Sequence, residues 1–391
     1  MKSTHPTNIS LFTGAMGLDL GLERAGFRTV VAVEVDKVAC ATIMRNKPDL
    51  VIINRDIHTV TSAEILQKAG LLPGEPVLVS GGPSCQPFST AGRRGSLQDP
   101  RSSAVDEFVR VVKDVRPRYF LMENVRGILS AAIRHRPLSQ RGPNFRKLEP
   151  DERPGSALEV ILGKFRSINY SVIYGLLNAA DYGVPQLRRR VVFLGSRDGE
   201  VIELPRKTHF ESPKPGQKRW SNLADALRGL KDESPRYSKY SKRRLRYMHM
   251  VPAGGDWRDL PRRIQWRAIG RGAYHSWGGR TGFCRRLSFS EPAPTLVSHP
   301  LTKASGLCHP VLDRPLSVRE YARIQQFPDD WQFEGSTYQQ YAQIGNAVPV
   351  GLACAVGRVL AREARRSVEA HEKNSVGPNL PLLIVGRSGS R

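Results

Sequence analysis

The segment Val79-Ser80-Gly81-Gly82-Pro83-Ser84-Cys85-Gln86-Pro87-Phe88-Ser89 carries a thiol just past an apolar run. Most cysteines are small, inert hydrophobes. Here Gly81 and Gly82 clear the approach to the sulfur, and Pro83 and Pro87 limit the freedom of the loop on either side. That arrangement suits a nucleophile. Met122-Glu123-Asn124-Val125 ends the next apolar run. Because strand ends of a parallel sheet gather at one rim, Glu123 is expected near Cys85. In a dry pocket its carboxyl can hold a proton and pass it to a ring nitrogen; the alternative is a carboxylate paired with Arg126 or another arginine. In Gln186-Leu187-Arg188-Arg189-Arg190 the strand period puts Arg188 and Arg190 on one face. Two guanidinium groups there can hold a phosphate and a base carbonyl oxygen.

A second group of residues points to a nucleoside ligand. Gly14, Gly17 and Gly21 follow the first apolar run and open a helical pattern, so a ligand can approach the backbone there. A tight strand-to-helix turn needs such glycines equally often. Glu34, 17 residues after Gly17 and at the end of the second apolar run, favours the ligand, because an acidic side chain there can bind both ribose hydroxyls. The spacing G-x-x-G-x-x-x-G differs from the G-x-G-x-x-G of dinucleotide sites, so an adenosine without phosphates fits better and a nicotinamide oxidoreductase fits poorly. Asp56 can accept a hydrogen bond from an adenine amino group, or simply cap a helix.

These residues need a scaffold that brings strand ends together. Asn8 to Phe12, Thr29 to Glu34, Leu50 to Ile53, Val77 to Ser80, Tyr119 to Glu123, Tyr170 to Leu177 and Val191 to Gly195 are candidate strands. Helix-period stretches at Leu18 to Ala25, Lys37 to Asn46 and Val105 to Val115 lie between several of them. The rhythm predicts an α/β domain with a mostly parallel sheet. Leu129 to Pro154 breaks it with four prolines and many arginines, and reads as a surface insertion.

The 391 residues hold 60 Lys and Arg against 36 Asp and Glu, a net charge of +24 that points to a polyanionic partner. Between Pro205 and Ser290 there are 21 basic and 6 acidic residues, together with Trp220, Trp257, Trp266 and Trp277. This stretch is expected to form loops and short strands of a second, smaller basic domain. A helical pattern returns from Ser317, a second ends near Arg365, and residues 366–391 read as a disordered tail. No run of about 18 apolar residues appears, and Met1 to Pro6 lack the apolar stretch of a secretory signal, so a soluble protein is expected. Cys40, Cys85, Cys284, Cys308 and Cys354 form no C-x-x-C pair. They are expected as reduced cytoplasmic thiols, with no metal site.

Phe12-x-Gly14, Pro83-Ser84-Cys85-Gln86-Pro87, Glu123-Asn124-Val125, Gln186-x-Arg188-x-Arg190 and Gly345-Asn346-Ala347-Val348-Pro349, in that order, resemble the motifs of the DNA (cytosine-5) methyltransferases of prokaryotic restriction-modification type. The resemblance spans about residues 8 to 360, apart from the basic middle. It implies a Rossmann-like methyltransferase fold and S-adenosylmethionine as cofactor, held by Phe12, Gly14, Gly17, Glu34, Asp56, Pro83 and Asn346, with Phe12 against the adenine. It implies catalysis by Cys85, Glu123, Arg188 and Arg190: the Cys85 thiolate adds to cytosine C6, Glu123 engages N3, and Arg190 holds O2 of a base swung out of duplex DNA. It also implies a catalytic domain of residues 1–197 plus 338–365, a target-recognition domain of residues 198–337, and a restriction endonuclease acting on the same site. An RNA cytosine methyltransferase is the alternative within this chemistry. Met16 departs from the family, standing where many members have glycine, and the 129–154 insertion is longer than a minimal enzyme needs.

Overall fold

The computed structural model describes residues 5–83, 103–137, 140–275, 282–302 and 306–375. Seven strands form the main sheet: β1 (Thr7–Leu11), β2 (Arg28–Val33), β3 (Val51–Ile53), β4 (Leu78–Gly81), β5 (Tyr119–Val125), β6 (Ser171–Asn178) and β8 (Arg189–Ser196), with the two-residue β7 (Gln186–Leu187) outside it. The spatial order is β3-β2-β1-β4-β5-β8-β6. The seven expected strands are these seven, with ends shifted by at most two residues. The first five run parallel, whereas β8 is antiparallel to both β5 and β6. After β1 the chain turns to β2 on one side, while β4 lies on the other, which opens a crevice at the carboxyl ends of β1 and β4.

Helices cover both faces. On one side α3 (Ser62–Ala69), α4 (Ser103–Val115) and α5 (Ser156–Ser167) bury Ile65, Phe108, Val112, Ile161 and Phe165 against Val31, Val79 and Phe120. On the other, α1 (Gly17–Arg24) and the closing helix α12 (Val350–Ser375) bury Leu22, Leu352, Val356 and Leu360 against Leu78, Leu121 and Leu194. A Cβ on Gly21 would lie 2.3 Å from Cβ of Ala353, so α1 and α12 pack in near contact. The chain thus returns to its first helix at its last one. α12 continues to Ser375, so residues 366–375, expected in the tail, are helical; the remainder lies outside the described residues. Among the described residues, Thr337–Arg366 is the one segment long and apolar enough to cross a bilayer by composition, but 67% of its apolar window is buried inside the protein. It is also interrupted at Ala347–Pro349, between α11 (Thr337–Asn346) and α12.

The basic middle contains short strands, as its punctuation suggests: β9 (His209–Phe210), β10 (Lys218–Arg219) and β11 (Ala293–Pro294), which pairs with β7. It also contains helices that the sequence reading did not expect, α6 (Leu223–Leu227), α7 (Lys242–Met248), α8 (Arg262–Ile269) and α9 (Arg271–Tyr274). Its core has two parts. Leu223, Leu287, Leu296 and Leu316, with Tyr321 of α10 (Val318–Ile324), share one cluster with Met16 and Leu20 of the sheet half. Tyr240, Met248, Val251, Leu260, Cys284 and Cys308 form a small cluster of their own.

Candidate active site and cofactor pocket

A cavity of about 620 Å³ opens at the carboxyl ends of β1, β2 and β4. Its lining brings together Phe12, Gly14, Gly17, Glu34, Asp56, Glu123 and Asn346, seven of the predicted site residues, from segments more than 300 residues apart. The size is that of a small-molecule site.

The loop after β1 is shaped by backbone conformation. Phe12, Gly14 and Met16 all have left-handed φ angles, 54°, 54° and 67°. For a non-glycine residue this costs about 1–2 kcal/mol. Met16, the departure from the family pattern, occupies such a position, and its fully buried side chain packs with Leu20 and Tyr321, which offsets the strain. Gly14 N–H donates to Oε2 of Glu34 at 2.7 Å, and Asp36 N–H to Oε1 at 2.9 Å. Each carboxylate oxygen has a second acceptor site, so Glu34 is fixed by the backbone yet able to take two ribose hydroxyls. Burial raises its pKa above the usual carboxylate range. Gly17 has a packing role as well: a Cβ there would lie 2.5 Å from the Val348 carbonyl oxygen, so its absence lets α1 seat on the segment after Asn346.

Beneath this loop lies Asp19, which the sequence reading missed. It is fully buried and accepts from Asn8 Nδ2 and Thr29 Oγ1 at 3.2 Å each and from Ser10 Oγ at 3.0 Å. The Ser10 hydroxyl also lies 3.0 Å from that of Thr13. Burial among neutral partners pushes the Asp19 pKa up to about 7. The available signal was polar: Asn8, Ser10 and Thr29 interrupt strands that are otherwise apolar and buried.

The outer wall of the cavity combines charge and apolar surface. Asp56 is exposed and caps a 3₁₀ turn, accepting from His58 N–H at 3.0 Å, with His58 Nδ1 at 2.7 Å from the same oxygen. The backbone N–H of His58, then its ring, hold the Asp56 carboxyl below its usual range. Asp56 therefore caps a helix, and it also lines the cavity. Val35, 63% exposed, and Ile57 add apolar surface that the motifs did not flag.

At the inner end Glu123 meets Arg190. The β5–β8 register sets Val125 opposite Arg190 and Glu123 opposite Val192, so Glu123 and Arg190 are diagonal neighbours on one face. Arg190 Nε lies 2.7 Å from Glu123 Oε1, with each side chain about one-eighth exposed. The partner of Glu123 is thus Arg190 rather than Arg126. A Cβ on Gly82 would lie 3.1 Å from Glu123 Oε2. Asn124 Nδ2 donates to the Pro83 carbonyl at 3.3 Å, so the chain toward Cys85 leaves the sheet beside Glu123. Gly82 rather than Pro83 lines the cavity. Cys85 itself lies outside the described residues.

Arg188 departs from expectation. It is 2% exposed and does not share the rim with Arg190; its guanidinium donates to the carbonyls of Leu296 at 2.9 Å, Gly345 at 2.8 Å and Ala347 at 3.0 Å. The chain passes from β7 to β8 at this residue, so the simple alternation expected of one strand does not hold. Arg188 ties two distant segments, at Leu296 and at Gly345–Ala347, behind the site instead of facing a ligand.

Cys40, Cys284, Cys308 and Cys354 are buried and unbridged. Burial raises the thiol pKa of Cys40 to about 12 and of Cys308 to about 11, and also raises that of Cys284. Such thiols are poor nucleophiles.

Comparisons with known proteins agree with this geometry. The model of the C-5 cytosine-specific DNA methylase family matches residues 7–362. The type II methyltransferase M.PspPI of Psychrobacter sp. is 40% identical over 360 residues, covering 90% of this chain and 78% of that protein. M.Eco47II of Escherichia coli, also a type II methyltransferase, is 38% identical over 358 residues, with 90% and 78% covered. The fold resembles that of the S. pombe Dnmt2 methyltransferase with a TM-score of 0.59 at 16% identity, covering 92% of this chain and 99% of that one. With seven of the predicted site residues gathered around one cavity and the family model spanning almost its whole length, the chain belongs to the C-5 cytosine-specific DNA methylases and is a DNA (cytosine-5) methyltransferase.

Proposed function

We propose that the protein transfers a methyl group from S-adenosylmethionine to C5 of a cytosine swung out of a specific duplex DNA sequence. The observation that carries this reading is the placement of the Glu123–Arg190 pair at the inner end of the cavity anchored by Glu34. Glu34 binds the ribose hydroxyls, Asp56 the adenine amino group, and Phe12, Val35 and Ile57 supply apolar surface for the ring. The cofactor supplies an electrophilic methyl group on its sulfonium.

Cytosine C5 is a weak nucleophile until electrons are pushed into the ring. Cys85 follows Pro83 by two residues, within about 7 Å of covalent reach, and Pro83 is tied to Asn124 beside Glu123. Its thiolate adds to C6, forming a C–S bond, while Glu123 engages N3 and Arg190 engages O2, so the negative charge developing on the ring is matched by fixed groups. C5 takes up the methyl group, then loses its proton as the sulfur leaves C6. The aromatic ring and the thiolate are restored. Extrusion of the nucleotide costs a few kcal/mol, which contacts between the basic protein and the phosphates offset.

The type II relatives support pairing with a restriction endonuclease that cuts the same sequence, the methylation protecting the DNA of a cytoplasmic host. Residues 198–337 would select that sequence.

A duplex with 5-fluorocytosine at the target position tests the chemistry, because fluorine cannot leave C5 as a cation and the adduct is trapped. The expected product is a denaturation-resistant protein–DNA complex that requires S-adenosylmethionine, maps to the Cys85 peptide, and is absent in Cys85→Ala although that variant still binds DNA. Attachment at another cysteine, or trapping by RNA but not by duplex DNA, would overturn the assignment.

A further inference from the structure

The 129–154 insertion has no part in the chemistry above, yet it starts at the active-site rim. β5 ends two residues past Glu123, and the chain enters a 3₁₀ turn, Arg126–Ser130, that leads directly into it. Its two ends are pinned together: Gly155 and Ala157 N–H both donate to the Ala131 carbonyl, Arg134 N–H to the Asp151 carbonyl, and Ile133 N–H to Ser156 Oγ. The insertion is a closed projection from the rim, held at its base by these hydrogen bonds.

Its interior is built around charge. Glu152, 3% exposed, pairs with buried Arg136 and with Arg146, and Asp151 takes Arg134 through two bonds of 2.9 and 3.2 Å. Glu149 is bonded to Arg146 at 2.9 Å. Residues 126–154 contain seven Lys and Arg and three Asp and Glu, and all three acids are consumed internally. The exposed Arg126, Lys147 and Arg153 have no acidic partner among the described residues. The net effect is a hydrogen-bonded shell that leaves Arg126, Lys147 and Arg153 exposed on a projection that begins three residues after Glu123. Order of this kind lowers the entropy lost on engaging a rigid polyanion.

We infer that the 129–154 insertion is a second DNA-binding surface, following the end of β5 that carries Glu123, whose Lys147 and Arg153 neutralise duplex phosphates flanking the target cytosine. The inference rests on the proposed DNA substrate and adds an anchoring point that the basic middle region does not supply. Phosphate contacts carry no base information, so affinity for specific and nonspecific duplexes should change together.

The test is binding of duplex DNA, with and without the target sequence, to the full chain across a salt series. Lys147→Gln with Arg153→Gln should weaken both duplexes about tenfold near 0.1 M salt and make the salt slope shallower by about 2, one for each phosphate that is no longer neutralised. Thermal unfolding should be unchanged, since neither side chain serves the internal ion pairs. Arg358→Gln with Arg365→Gln, exposed on α12, removes the same charge elsewhere and should leave the slope within about 0.5 of the unsubstituted chain. Equal losses in the two double variants, or an unchanged slope in Lys147→Gln/Arg153→Gln, would overturn the inference. Trapping on 5-fluorocytosine by the unsubstituted chain tests the catalytic reading separately: it succeeds or fails whatever the insertion does.

Discussion

The sheet half and the basic middle of this protein solve the same problem, holding polar groups in place, by opposite means. In the sheet half apolar strands and helices do the holding, and the polar site sits at strand ends where topology gathers it. Glu34 and Gly82 stand just past a strand terminus, and Glu123 lies two residues before one. In the middle the apolar core is small, and an arginine acts as the framework. Arg286, 4% exposed, donates to the carbonyls of Val251, Met248, His309 and Leu312 at 2.6 to 3.2 Å and pairs with Asp313. Part of the positive charge in this region is therefore architecture, and a count of basic residues overstates what is left to face solvent.

The largest effect that can break this contrast is expected at Arg286. Arg286→Met keeps apolar volume but leaves the buried carbonyls of Val251, Met248 and His309 without this donor and takes one of two partners from Asp313, which keeps His249. It should cost about 3–5 kcal/mol of stability, at about 1–3 kcal/mol for each buried carbonyl left unpaired, seen as an early unfolding transition in urea. A loss below about 1 kcal/mol, the size of an ordinary exposed ion pair, would mean that the small apolar cluster alone carries the middle region.

Next is Asp19, the buried polar group of the sheet half. Its carboxyl titrates at about 7 when folded and at about 3.9 when unfolded, so the folded state binds the extra proton between those values. Its contribution is fully present below about pH 4 and is lost as pH rises to about 7, on the order of 4 kcal/mol. Asp19→Asn, whose amide can donate to the Ser10 hydroxyl, should flatten the pH dependence and be more stable than the parent at about pH 8, above both pKa values. An unchanged slope of stability across that acidic range would show that Asp19 does not carry this proton.

Glu34 separates site from scaffold. Glu34→Ala should weaken S-adenosylmethionine binding by roughly 1.5–3 kcal/mol, measured by calorimetry. Unchanged affinity would reject the ribose assignment. The smallest effect belongs to Arg267, exposed on α8 with its guanidinium carbon 5.1 Å from the Trp266 ring centroid. Arg267→Gln should change stability by less than about 0.5 kcal/mol while making the salt slope of DNA binding shallower by about 1. A large stability loss there would place α8 with Arg286, in the framework.

The same contrast explains what could be read from the sequence. The strands were legible because runs such as Val77 to Ser80 and Tyr119 to Glu123 are buried on both sides and therefore continuously apolar. Once they are ordered in a parallel sheet, the convergence of Phe12, Glu34, Asp56 and Glu123 follows from topology. Arg188 was misread because its three carbonyl partners lie 108 to 159 residues away in sequence, and no local period encodes such a reach. The helices α7 and α8 were missed for a related reason. Lys242-Arg243-Arg244-Leu245-Arg246 and Arg262-Arg263-Ile264-Gln265-Trp266-Arg267 carry too few apolar residues to display a buried stripe. Val35 and His58 needed the cavity itself, since neither residue type announces a ligand.

The packing of α12 on α1 has a consequence for how the protein is made. Leu18 and Leu22 are covered by Leu352, Val356 and Leu360, and roughly 330 residues separate the two helices, so at about 5–20 residues per second the first helix waits on the order of 16–65 s for its cover to be synthesised. Throughout that interval the nascent chain presents an apolar stripe directly next to the loop after β1. Assembly of the site is thereby tied to the synthesis of α12, and a ribosome that stalls before Val350 releases a chain whose first helix is still bare, a natural substrate for chaperones and proteases.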